Sequence, residues 1–236
     1  KDKLHAVWKD VLANLIDYPQ DADGFMIAKD LPYGESHRHY SHLMMIYPFY
    51  DINWDQVNNQ ALIEHSIAHW QSKKQWLQGY SFTGAASMYA MMGRGDSALA
   101  SLDVLLQKYI KANTLYAESG PVIETPLAAM ASIQELCMQY WNGVLRVFPA
   151  IPYKWEDVSF ANFLADGGNL VSAQRKNGKT IGIQIKSQYG GRIRLKAGIR
   201  APEIKIQGKG TFDITQDGMI DLNLDKGAVA LINAHR

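Results

Sequence analysis

The sequence predicts an α+β chain, a helical region followed by an antiparallel β region. Three observations predict it. Apolar residues recur at three- and four-residue steps from Leu4 to about Tyr140, they alternate at every second residue beyond Trp141-Asn142-Gly143, and Pro149 and Pro152 mark the join. We place the helical domain over residues 1–146 and the antiparallel β domain over residues 147–236.

The opening helix is read from Leu4, Val7, Trp8, Val11, Leu12 and Leu15, which share one face and end before Pro19. A second helix is predicted from about Trp54 to Trp70 through Val57, Ala61, Leu62, His65 and His69. Two more, Tyr80 to Met92 and Ser97 to Lys111, form an αα-hairpin around Gly93-Arg94-Gly95-Asp96, where glycine ends one helix and Asp96 caps the next. The last helix starts at Thr125-Pro126, a hydroxyl cap followed by proline at the first helical position, and runs to about Tyr140. Strands follow at Ile181/Ile183/Ile185, Ile193/Leu195, Ile204/Ile206, Ile220/Leu222 and Val229/Leu231. Asp166-Gly167, Asn177-Gly178, Asp217-Gly218 and Lys226-Gly227 supply the hairpin turns between them.

With 236 residues and 47% apolar composition, the chain can bury a sizeable core in two domains. Its formal net charge of +1 and the lack of a long Lys/Arg run argue against nucleic acid and anionic membrane as partners, and for neutral ligands. No stretch reaches the length of an apolar membrane span, and the N-terminal ten residues carry no signal-type apolar run. The single cysteine, Cys137, excludes an internal disulfide and reads as a buried thiol between Leu136 and Met138.

Residues 37–42, His-Arg-His-Tyr-Ser-His, place three imidazoles beside a guanidinium. One reading is a zinc site, with Asp30 or Glu35 completing the shell. A fixed cation at Arg38 opposes that, and we assign no metal and no cofactor. The favoured reading is a donor cluster for a hydroxyl-rich ligand, in which His37, Arg38, His39 and His42 offer hydrogen bonds and Tyr33, Tyr40 or Tyr47 offer flat apolar faces. A plain interhelical polar network is the third. A second constellation lies at residues 113–126, where Glu124 stands at a helix start whose dipole and unpaired N–H groups favour an ionised carboxylate. Such a group can activate water or merely supplement the cap. Inverting glycoside hydrolysis needs two carboxyl groups, one to protonate the leaving oxygen and one to activate water. Glu124 is the candidate for the second, and Asp30 and Glu35 are candidates for the first.

Three segments together resemble the C-terminal part of glycoside hydrolase family 95, whose members are inverting α-L-fucosidases and α-L-galactosidases. His37-Arg38-His39-Tyr40-Ser41-His42-Leu43 with Tyr47-Pro48 is similar to the family's His-Arg-His-x-Ser-His-Leu run and its following Tyr-Pro. Gly79-Tyr80-Ser81 resembles its Gly-Trp-Ser helix, which adds Tyr80 to the expected binding residues. Ile123-Glu124 with Ala128, Ala129, Ile133, Glu135 and Leu136, followed by Val147-Phe148-Pro149-Ala150-Ile151-Pro152, resembles the last helix and the strand that leads into the C-terminal sheet. The resemblance implies a partial α/α toroid of paired helices followed by a β-sandwich, with the N-terminal portion of the same protein, including an asparagine-rich catalytic segment, outside this chain. It implies an oligo- or polysaccharide substrate and a periplasmic or extracellular location. Two positions depart from the pattern: Glu124 stands where the family has aspartate before Gly-Asn, and Met26-Ile27-Ala28-Lys29 stands where the family carries its acid. A non-catalytic carbohydrate-binding protein is therefore the alternative.

Overall fold

The computed structural model describes residues 2–118, 120 and 122–235. Five α-helices among these precede ten strands: α1 Asp2–Ala13, α2 Gln60–Ser72, α3 Gly79–Met91, α4 Gly95–Val104 and α5 Glu124–Cys137, then β1 Met138–Trp141, β2 Val144–Val147, β3 Val158–Ala165, β4 Asn169–Lys176, β5 Lys179–Ser187, β6 Gly191–Lys196, β7 Glu203–Gln207, β8 Gly210–Ile214, β9 Ile220–Leu224 and β10 Val229–Asn233. Helical region then β-sandwich is the observed order.

α1 forms where its periodicity predicts, but Leu4, Val7, Trp8 and Leu12 on its apolar stripe remain exposed. The second helix starts later than predicted, at Gln60. The residues before it form a single 3-10 turn, Val57–Asn59, and Asn53 and Gln56 bind each other and nearby backbone instead of extending the helix. α3 carries ten buried residues, of which Gly79, Ser81, Thr83, Gly84, Ala85, Ala86, Ser87 and Ala90 are small, so neighbouring elements approach its backbone closely. Gly84 shows the consequence: a Cβ there would lie 2.1 Å from Cε1 of Tyr40. Gly95 plays the same part at the start of α4, where a Cβ would meet the Ala150 carbonyl oxygen at 2.2 Å. Asp96 does not cap α4 as predicted. Arg94 occupies the N-cap, and the Asp96 carboxylate accepts the Tyr153 N–H at 2.9 Å, tying the hairpin to the segment that enters the sheets.

The β region closes as two five-stranded sheets, ordered β1-β2-β6-β9-β8 and β3-β4-β5-β10-β7. Among the described residues every pair of neighbouring strands is antiparallel except β2 with β6, where Leu145 lies opposite Leu195. One apolar core joins the two sheets, with Leu145, Leu195 and Leu222 from the first against Val171, Ile185 and Ala230 from the second. The sheet region starts at Met138, directly after α5 and ahead of residue 147, because β1 and β2 make a tight hairpin over Asn142 and Gly143, both at positive φ. Trp141 from this hairpin is buried in the helical core, stacked on Tyr50 at 5.6 Å, and Arg146 lies 3.3 Å from the Trp141 ring centroid while it ion-pairs with Asp55.

Replacing Gly84 by alanine should cost roughly 1–3 kcal/mol, because a Cβ there would overlap the Tyr40 ring and force it to shift. Denaturant unfolding of wild type and variant measures it. An unchanged midpoint would show that Tyr40 can shift freely.

Candidate active site

The histidine run is held onto the N-terminus of α3 by Ser81. Its Oγ accepts the Gln78 N–H at 3.1 Å, and its hydroxyl donates to the Arg38 carbonyl at 2.7 Å. Each residue of the Gly79-Ser81 pair has a local role: the serine fixes the loop, and the glycine leaves room for Glu118, whose Oε1 would lie 2.2 Å from a Cβ at Gly79. Tyr40 and Tyr80 then stack at 5.5 Å with an interplanar angle of 12°.

Glu124 is the first residue of α5, with Ile123 at the N-cap. The Thr125 hydroxyl, predicted to cap the helix, instead donates to Glu118 Oε1 at 2.8 Å. The Glu124 carboxylate points to the histidine loop, with Oε1 3.8 Å from both Arg38 Nη2 and His39 Nε2. Burial lowers the His39 pKa from its ordinary value, and the Arg38 and His37 charges add to this against the pull of Glu124. At neutral pH the cation beside Glu124 is therefore Arg38, with His39 a neutral ring next to it. His39 and Tyr80 of this group also line a cavity of about 360 Å³, together with Tyr40, Met44, Tyr47 and Ala128; Glu124 and Arg38 are not in its lining. That size suits a small ligand, and the three tyrosines supply apolar faces with polar tips.

The structure thus brings Glu124, Arg38, His39 and Tyr80 to one place. His37 stands at its edge: its Nδ1 accepts the His39 N–H at 3.0 Å, and its ring meets that of His39 edge-on at 5.0 Å. His42 goes elsewhere. It is buried, stacked on Tyr33 at 4.1 Å, on the side of the loop facing Asp21, Ser66 and His69. Asp30 and Glu35 are both exposed, and neither makes a hydrogen bond or ion pair with the cluster among the described residues. No group of three or more His, Cys, Asp or Glu side chains among the described residues could hold a metal ion.

Sequence reasoning gave no role to Glu135. It follows Glu124 on the same face of α5, with Ala128 and Ala131 between, since eleven residues make just over three whole turns. Its Oε1 accepts the Tyr50 hydroxyl at 3.1 Å, and its Oε2 is buried without a partner. Burial pushes its pKa up to about 7, against the hydroxyls of Tyr47, Tyr50 and Ser87, which favour the anion. The helical spacing was the available signal. Glu135 is not the acid partner of Glu124, because eleven residues of helix rise about 16 Å, well beyond the 6.5–9.5 Å of an inverting pair.

His42 and Glu135 load the fold in opposite directions with pH. Burial, with a smaller contribution from His69, holds the His42 ring neutral down to about 4, whereas the unfolded ring takes its proton near 6.5. The unfolded state binds more protons in that window, so stability is lost as pH falls through it. Glu135 keeps its proton up to about 7 when folded but loses it near 4.5 when unfolded, so stability is lost as pH rises. Glu135→Gln removes the second effect alone. Between pH 4.5 and 7 the variant should gain about 3 kcal/mol relative to wild type, read from urea midpoints across pH. Parallel profiles would mean that the carboxyl titrates normally.

Among known protein families, the model described as the glycosyl hydrolase family 95 catalytic domain matches residues 26–136, a segment that runs from just before the histidine loop to the end of α5. No curated protein matches the chain. Over residues 26–136, therefore, this chain is similar to the catalytic domain of glycosyl hydrolase family 95.

Proposed function

We propose that the chain is the C-terminal portion of an inverting glycosidase that removes a terminal α-linked L-fucosyl or L-galactosyl residue from a glycan. The observation that carries this reading is the Glu124 carboxylate held at 3.8 Å from Arg38 and His39, the latter lining a cavity walled by Tyr40, Tyr47 and Tyr80. Glu124 orients or activates the attacking water, which a carboxylate can do when a neighbouring guanidinium keeps it ionised and aimed. Arg38 and His39 also donate to sugar hydroxyls, with His37 at the rim. Tyr80 offers its ring to a C–H face of the sugar. The acid that protonates the leaving oxygen comes from residues N-terminal to this chain, and the enzyme works in the periplasm or outside the cell on oligo- or polysaccharides.

A second reading, carbohydrate binding without hydrolysis, is favoured by one observation. Asp30 and Glu35, the nearby carboxyl groups in sequence, stay exposed and apart from Glu124. Saturable sugar binding with no release of reducing ends distinguishes it.

In the complete protein, Glu124→Gln should lower kcat on α-L-fucosides or α-L-galactosides by about 10²–10⁴ while leaving the unfolding midpoint in place. Hydrolysis rates and thermal melts measure both. Wild-type turnover by the variant removes Glu124 from the mechanism.

A further inference from the structure

Two open sheets have four edge strands, and three of the four in this sandwich are protected against further pairing. β1 lies against the helical region, with Trp141 in the helical core. β3 carries a register shift between Phe160 and Phe163, with Asn162 at positive φ, which bends the strand. β7 carries two exposed charges, Glu203 and Lys205, ion-paired at 2.9 Å. Among the described residues β8 alone is left open: all five of its residues are exposed, it holds no proline, lysine or bulge, and its register with β9 is unbroken. Which of its backbone groups are free follows from the ladder. The Asp225 N–H donates to the Lys209 carbonyl and the Thr215 N–H to that of Met219, so the odd-numbered residues bond to β9. The N–H and C=O groups of Gly210, Phe212 and Ile214 therefore point out along the edge. Their side chains stand on the core side of the sheet, opposite Leu224, Leu222 and Ile220, yet Phe212 is 46% and Ile214 44% exposed. The sandwich leaves this apolar strip uncovered.

We propose that β8 is a homodimer interface, at which a second copy of this chain adds its own β8 antiparallel across a two-fold axis at Phe212. One register gives all three open residues a partner. Phe212 faces the partner's Phe212 and Gly210 faces the partner's Ile214, and these pairs exchange roughly six backbone hydrogen bonds. The side chains agree with that register. The two Phe212 rings meet as a directly opposed aromatic pair on the core side, where they cover each other's exposed surface. On the outer face the Thr211 hydroxyl stands opposite the partner's Asp213 and can donate to its carboxylate, so no like charges are directly opposed. A two-fold contact needs a surface complementary to itself, and Thr211-Phe212-Asp213, with its donor and acceptor on either side of a central ring, is such a surface. This symmetry selects a second copy over an unrelated extended segment. The first sheets of the two copies then join into one continuous sheet through paired β8 strands.

Sedimentation velocity of the full chain over a concentration series tests the inference. The species gained at high concentration should have twice the 26.5 kDa mass of the chain. For so short a contact its Kd should be on the order of 10 μM. Phe212→Pro deletes the N–H at the two-fold axis, which points to solvent in the single chain, and should weaken association at least about tenfold while the far-UV circular dichroism stays that of wild type. Phe212→Lys alters only an exposed side chain, should act in the same direction, and decides the matter if the proline variant fails to fold. Phe212→Cys reads the register: directly opposed Cα atoms about 5.5 Å apart allow a disulfide, and Cys137 is buried, so mild oxidation should give a dimer linked at position 212. A wild type that stays monomeric at about tenfold above the expected Kd, a dimer undiminished by Phe212→Lys, or the lack of a cross-link at position 212 overturns the inference.

Discussion

The site depends on how closely α5 lies against α3. At their contact the Ser132 hydroxyl is 2.9 Å from the Thr83 carbonyl oxygen and 2.9 Å from the Ser87 hydroxyl, all within the buried interface. Hydroxyl-to-backbone contacts of this kind require small side chains on both helices, and α3 supplies them along its length. A larger residue at any of these positions would push α5 outward and carry Glu124 away from Arg38. The same economy of side-chain volume lets Tyr40 settle on Gly84, which sets the floor of the cavity. The placement of the polar groups at the mouth is therefore a consequence of packing several residues below it.

Charge is distributed along α5 in an asymmetric way. At its N-terminus a part-exposed carboxylate faces a guanidinium and a ring kept neutral by burial, so the pair is screened by water and contributes little to stability. Toward its C-terminus a carboxyl group lies among tyrosine hydroxyls with one oxygen unsatisfied, an arrangement that costs stability wherever it is ionised. Folding stability alone would remove Glu135 or surround it with more donors.

Much of this was legible in the sequence because it depends on local periodicity. The α3–α4 hairpin over Gly93 and the alternation of Ile183 and Ile185 on β5 follow from residues that decide their own conformation, whereas Ile181 falls at a register shift and stays exposed. The convergence of Glu124 with Arg38 and His39 was approachable only because each segment carries a distinctive cluster, since their contact spans a long stretch of chain. What local pattern cannot supply is the competition for a partner. Thr125 looks like a cap until Glu118 arrives from a neighbouring loop, and Asp96 looks like one until the Tyr153 N–H does. His42 sits in the same short run as His39 but turns to the opposite side, because the 3-10 turn Ser41–Leu43 buries it against Tyr33. The parallel pairing of β2 with β6 has no signature in either strand.

The junction between the two regions explains why the sheet region bears on the cavity at all. Trp141, from the hairpin that opens the first sheet, stacks on Tyr50, and the Tyr50 hydroxyl donates to Glu135. Arg146 lies over the Trp141 ring and reaches Asp55 in the loop before α2. A truncation at the end of α5 would therefore remove more than a neighbouring domain: Tyr50 would lose the ring that holds it, and the carboxyl group of Glu135 would lose the orientation of its hydrogen-bond donor. The wall that Tyr47 shares between this cavity and a second one, lined by Tyr50 and Glu135, rests on the same group of side chains, so the geometry of both cavities is set in part by a hairpin that belongs to the sheet.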